Sequence, residues 1–233
     1  MTELKIQPAP HVTSILAIAA HPDDIESWCA GTLAQSIDAG STVRLVLVTS
    51  GDKGSSDPMM DRDRLAKIRE GEATRAAQAL GITDVHFLRH EDGDVEDTRA
   101  LRGELVEWIR RWRPQVVFTH DPVWLLPPYL AHRDHRIVGR VTLDAIYPAT
   151  RDPLSFSEHL ASGLIPHAVE QVWLFASAQA DTFVDSVRDS IARSRCDSPM
   201  RARPLIPRNS LPIGVSVRQR SVQWLPCHLQ NHS

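Results

Sequence analysis

Short, continuous apolar runs alternate with longer stretches of helical periodicity along most of the chain. Ser14 to Ala20 (S-I-L-A-I-A-A) is apolar after its first residue, as expected of a strand buried on both faces of a parallel sheet. Ile25 to Asp38 reads as a helix with Gly40 near its C-terminal stop. Thr42 to Thr49 (T-V-R-L-V-L-V-T) is a second strand, and Ser50 to Gly54 a polar loop. Asp61 to Leu80 carries alanine and leucine at helical spacing and closes on Gly81. Asp84 to Leu88 is a third strand. Thr98 to Trp112 is a helix capped at Thr98 and ended by Pro114. Gln115 to Thr119 is a fourth strand, and His132 to Ile146 a helix that stops before Pro148. Val169 to Ala176 reads as a further strand, and Thr182 to Arg193 as a strand edge running into a helix.

Strands and helices in this alternation predict an α/β fold with a mostly parallel sheet and right-handed crossovers. Ligands of such sheets lie beyond the carboxyl ends of the strands, near the point where strand order reverses. The polar clusters fall in those places: His21 to Asp24, Thr49 to Gly54, His90 to Gly93, and His120 to His135. After Arg195 the pattern dissolves. Ile191 to Ser233 holds seven arginines and five prolines against the single acidic Asp197, so residues 196–233 are expected to be an irregular tail on a single domain spanning 1–195.

Composition narrows the class without naming the chemistry. A chain of 233 residues suits one sizeable core. A formal charge of -3 gives no electrostatic reason to expect nucleic acid. The three cysteines, Cys29, Cys196 and Cys227, form no C-x-x-C pair, which argues against a thiolate metal cluster or a redox motif. So sparse a set suits a reducing compartment. Met1 to Pro10 lacks the layout of a signal peptide, and no run of about 18 apolar residues occurs. A cytoplasmic enzyme without a membrane span is the expectation.

The candidate chemistry lies at two strand ends. His21 and Asp24 are three residues apart where a buried strand turns into a helix, a spacing that lets a nitrogen and an oxygen face one ion. His135 can add a third donor. Such a His/Asp/His set suits Zn²⁺ and would also accept another divalent ion such as Fe²⁺. Asp23 is then left over as a carboxylate able to take a proton from water. His132, oriented and kept protonated by Asp134, could meet an oxyanion or a leaving amine. The plainer readings are that Asp23 and Asp24 cap a helix, and that His132 and His135 are surface residues at a helix start.

Ala20-His21-Pro22-Asp23-Asp24, with Glu26 and Gly31-Thr32 following, resembles the opening signature of the PIG-L/LmbE family of zinc N-deacetylases. Further pieces come in family order. Thr49 to Gly54 is similar to its T-x-G-E-x-G loop, with Asp for Glu. Arg69-Glu70-Gly71-Glu72-Ala73 is similar to R-x-x-E-A, and Asp92-Gly93 to a D-G turn. Pro114 to Thr119, with His132-Arg133-Asp134-His135, is similar to P-x-V-V-x-T…H-x-D-H. The resemblance covers about Ile15 to Arg193 and implies a Rossmann-like α/β fold. It implies His21, Asp24 and His135 as zinc ligands, Asp23 as general base, and His132 with Asp134 at the tetrahedral intermediate. Arg69 and Asp92 would hold sugar hydroxyls, though Arg69 could equally pair with Glu72 on its own helix. The implied substrate is a small amino-sugar conjugate carrying an N-acyl group, most simply N-acetyl on glucosamine. The rivals are an amidase on a thiol-sugar conjugate, a non-catalytic sugar- or nucleotide-binding module, and an inactive remnant with a divergent tail. Trp124 to Tyr129 (W-L-L-P-P-Y) either lines an acyl pocket or covers core. A homo-oligomer fits this reading as well as a monomer does.

Overall fold

The computed structural model describes residues 5–6, 8–123, 132–185 and 216–221. The apolar runs are strands β2 (Ser14–Ala19), β3 (Thr42–Thr49), β4 (Asp84–His90), β5 (Val116–His120) and β6 (Gln171–Phe175). They pair in parallel in the order β4-β3-β2-β5-β6. Strand order therefore reverses at β2, with β3 on one side and β5 on the other. Three short strands extend the sheet beyond β6: β1 (Lys5–Ile6), β7 (Thr182–Phe183) and β8 (Ser216–Ser221). The last of these lies within the stretch expected to be an irregular tail. Ser216 to Ser221 has one apolar residue in six and so no strand signature, and its order comes from antiparallel pairing with β6 and β7. The Trp124 to Tyr129 segment, and the helix expected after Phe183, lie outside the described residues, as does the rest of the tail.

Helices cover both faces. On one, Ile15, Ala17, Leu45, Leu47 and Phe118 pack against Leu33, Ala73, Ala77 and Leu80 of α2 (Ala30–Asp38) and α3 (Arg62–Leu80). On the other, Leu16, Ile18, Val46, Val48 and Val117 pack against Leu101, Leu105, Ile109, Val138 and Val141 of α4 (Arg99–Trp112) and α5 (Arg133–Asp144). Both sets come from alternating positions on the same strands, which is why the runs read as unbroken apolar. Each fully buried Val, Leu, Ile or Phe among them contributes about 1.5–3 kcal/mol.

Helix ends follow local chemistry. Asp61 accepts a hydrogen bond from the Arg64 N–H at 2.8 Å, and Thr98 Oγ1 one from Leu101 at 3.1 Å. Gly81 ends α3 at φ +91°, in the left-handed region where a side chain would be strained. The helix expected over Ile25 to Asp38 is two, α1 (Asp24–Trp28) and α2, because Cys29 leaves helical geometry at φ -143° and ψ 7°. Beyond α5 the chain makes a wide turn over Ala145–Ala149, and a short α6 (Glu158–Ala161) follows.

Two contacts lock α4 and α5 in place. Arg110 on α4 is 2% exposed and donates to five carbonyls, those of Ala149, Thr150, Asp152, Ser155 and Phe156. Gly139 on α5 lies so close to β5 that an added Cβ would collide with the His120 carbonyl oxygen and stand 3.2 Å from Pro122 N. Arg110→Met should lower unfolding stability by about 3 kcal/mol or more, because buried acceptors lose their donors. Gly139→Ala should cost about 1–3 kcal/mol by pushing α5 off the sheet. Urea unfolding midpoints of the two variants check both values, and an unshifted midpoint would contradict either.

Candidate metal centre and active site

The site lies where strand order reverses, at the carboxyl ends of β2 and β5. Past β2 the chain folds sharply: the His21 N–H donates to Asp24 Oδ2 at 2.7 Å, and the Asp24 N–H donates to His21 O at 3.3 Å. These reciprocal bonds turn both side chains inward, where His21 is 6% and Asp24 4% exposed. The first turn of α5 brings in His135. His21 Nδ1 lies 3.1 Å from His135 Nε2 and 3.5 Å from Asp24 Oδ2, and His135 Nε2 lies 3.0 Å from Asp24 Oδ1. Three donors from separate elements thus converge on one point.

The far side of the His21 ring meets two carboxylates. Its Nε2 is 3.1 Å from Asp92 Oδ1 and 3.2 Å from Asp134 Oδ2. Burial opposes charge on His21, yet Asp134, Asp24 and Asp92 together push its pKa up to about 12. Burial likewise opposes ionisation of Asp24, but His135 and His120 hold it well below the usual carboxylate range. The cluster therefore demands positive charge.

These residues suit a bound cation on their own chemistry. With the Nε2 hydrogen of a neutral His21 turned to carboxylates, Nδ1 presents its lone pair toward Asp24 and His135. His135 Nδ1 is buried without a partner among the described residues, which leaves Nε2 as the end of that ring engaged at the cluster. Two imidazole nitrogens and a carboxylate form a donor set for zinc or another borderline divalent ion.

Asp23 stands half-exposed at the rim, where its Oδ1 pairs with Arg69 Nη2 at 3.0 Å. Arg69 lies across Gly51, whose φ is +63° and whose added Cβ would come within 2.7 Å of the guanidinium. The ion pair of Arg69 is thus with Asp23, across the site, rather than with Glu72 along the helix. Asp92, expected to hold sugar hydroxyls, is 7% exposed with one oxygen engaged by His21.

His132 sits exposed at the mouth, its ring edge-on to His21 at 4.5 Å. Asp134, expected to orient His132, makes its carboxylate hydrogen bonds elsewhere. The Asp134 carboxylate accepts from Gly93 and Val95 N–H groups at 2.7 and 3.3 Å and faces His21. Only the Asp134 backbone N–H reaches His132, donating to Nδ1 at 3.3 Å. The His132 pKa is lowered, first by partial burial and then by the neighbouring imidazoles of His21 and His135, with Asp134 and Asp92 opposing more weakly. A neutral His132 that accepts at Nδ1 carries its hydrogen at Nε2.

His120 is the residue that sequence reasoning passed over. It ends β5, is 1% exposed, and its Nε2 lies 3.1 Å from Asp24 Oδ2. Burial, then His135, lowers its pKa to about 4, so the ring is neutral. The available signal was a polar residue at the first position past an apolar parallel strand.

Comparison with known proteins places the chain. The family model described as "PIG-L: GlcNAc-PI de-N-acetylase" matches residues 16–146, more than half of it. A diacetylchitobiose deacetylase of Thermococcus kodakarensis is 35% identical over 179 residues, covering 77% of this chain and 66% of that protein. The chain spans about half to two thirds of the length of such curated relatives. An N,N'-diacetylchitobiose deacetylase from Pyrococcus horikoshii, solved with an inhibitor, superposes with a TM-score of 0.80 at 24% identity, over 90% of this chain and 84% of that one. The 4-carboxy-2-hydroxymuconate hydratase GalB from Pseudomonas putida KT2440 shares the fold too, with a TM-score of 0.72 at 19% identity, over 92% of this chain and 100% of that one. The likeness to these two structures therefore bears on the fold alone. Among the described residues no helix is long and apolar enough to cross a membrane. The matched family model, spanning the segment that carries His21, Asp24 and His135, identifies the chain as a member of the PIG-L family.

Proposed function

We propose that the chain is a zinc-dependent N-deacetylase that removes acetyl from an N-acetylglucosamine unit of a small conjugate. The observation that carries this reading is the convergence of His21 Nδ1, Asp24 and His135 Nε2 beside a separate carboxylate, Asp23, pinned at the rim by Arg69. The Thermococcus relative named for diacetylchitobiose supplies the amino-sugar class. His21, Asp24 and His135 would hold the zinc, whose Lewis acidity would polarise the acyl carbonyl and water.

The chain's own groups do the rest. Arg69 holds Asp23 by Oδ1, leaving Oδ2 to accept the proton of the attacking water. As the water oxygen bonds to the acyl carbon, negative charge grows on the carbonyl oxygen, and the Nε2–H of His132 at the mouth is the donor to meet it. The proton held by Asp23 is the one the amine needs as the C–N bond breaks. The products are acetate and the free amine. Asp92 and Asp134, both against His21 Nε2, fix the orientation of that ring.

Dialysis against a chelator should abolish hydrolysis of N,N'-diacetylchitobiose, and added zinc should restore it. A metal-free protein with full activity, or a metal-loaded one inactive across a panel of N-acetylglucosamine conjugates, would sink the reading. Larger N-acyl groups in the same panel separate a deacetylase from an amidase for bulkier chains. Asp23→Asn should lower kcat by about 10²–10⁴-fold with metal content unchanged. Loss of metal in that variant would move Asp23 into the ligand set.

A further inference from the structure

We infer that His120 is a positioning residue of the metal centre, acting through Asp24 and His135 rather than on substrate. Its place in the fold is unusually constrained. The ring lies flat on His135, with centroids 4.2 Å apart and planes 13° from parallel. Phe175 at the end of β6 meets it edge-on at 4.5 Å. Its Nε2 stands 3.1 Å from Asp24 Oδ2 and 3.1 Å from the Ala20 nitrogen, whose N–H points at it. One side chain thus touches two of the three metal donors and the strand end that launches the third, His21.

The stack follows from the backbone. Gly139 lies one turn beyond His135 on α5, and its missing side chain lets the helix approach the His120 carbonyl. That approach sets the helix at the distance where the His135 ring covers the His120 ring. A neutral imidazole carries either a hydrogen or a lone pair at Nε2. With the hydrogen it donates to Asp24; with the lone pair it accepts from Ala20. With the hydrogen the ring edge braces the Asp24 carboxylate; with the lone pair it holds Ala20, the residue before His21. A ring 1% exposed and walled by Phe175 has no path to substrate, so its effect must pass through the groups it touches.

Partners that orient metal ligands change metal affinity by about 10–100-fold when removed. The test is titration of Co²⁺ into metal-free full-length protein, read by its visible absorption, with His120→Phe, His120→Leu and His120→Gln beside the unchanged chain. Phe keeps a flat ring for His135 and Phe175 but has no nitrogen. Leu removes both features, and Gln keeps a polar atom near the Nε2 position. The expected result is about 10–100-fold weaker binding in Phe and Leu, an altered Co²⁺ spectrum in both, and affinity largely recovered in Gln.

Folded Phe or Leu variants that bind Co²⁺ as the unchanged chain does would overturn the inference. So would complete loss of binding in a folded variant, which would make His120 a ligand. Failure of both apolar variants to fold would assign His120 to the core and overturn it as well. The inference rests on the metal reading of His21, Asp24 and His135. An unchanged chain that binds no divalent ion defeats that reading, whereas one that binds while the variants do not differ defeats this inference alone.

Discussion

Three buried carboxylates surround one imidazole, and most of the site's arrangement answers to that fact. Asp24 lies on one side of His21, with Asp92 and Asp134 on the other, and each is less than a tenth exposed. Buried negative charge without compensation costs several kcal/mol per group. The chain offsets part of it with fixed donors: the His21 N–H to Asp24, and the Gly93 and Val95 N–H groups to Asp134. What remains calls for a cation, either a proton on His21 or a metal ion at the three donors.

The loops after β3 and β4 keep that arrangement in register. Asp52 accepts the Asp92 N–H at 3.0 Å and is gripped by Arg62, which also reaches Glu91 at 2.7 Å. Lys53 ties Glu91 and Asp94 from the other direction. Most of these groups are open to solvent, so the pairs add little to stability. Their effect is geometric. They hold the backbone that carries Asp92, and so fix where its carboxylate meets His21. A sheet of this kind provides positions, and the side chains at its strand ends decide the chemistry.

The parallel sheet and its two helical layers were legible because buried strands read as unbroken apolar runs and the long helices α3 and α4 carry side-chain N-caps. Thr98 and Gly81 stand where their chemistry predicts. That His21, Asp24 and His135 would meet could be read from their places at strand ends, since both faces of each strand were already committed to core. What the sequence hid were choices made by tertiary contact. Asp134 turns to His21 rather than His132 because Gly93 and Val95 offer it backbone donors from 39 to 41 residues away. His120 was read only as the start of a polar cluster, and the reversal of strand order beside β2 brings it to Asp24. β8 has no apolar rhythm, and Cys29 breaks a helix that its neighbours would have continued. Arg110 would be expected on a surface; carbonyls from a turn 39 to 46 residues away make its burial tolerable.

The two halves of the proposed metal donor set are 114 residues apart in the chain, with His21 following β2 and His135 opening α5. In an unfolded chain they rarely meet, so an ion held by both would bind the native state almost exclusively. Loading the centre would then act on the whole fold: at a free ion concentration 100 times its dissociation constant it would add about 2.7 kcal/mol to unfolding stability. A cell's supply of the ion would set the lifetime of the protein as well as the rate of its reaction.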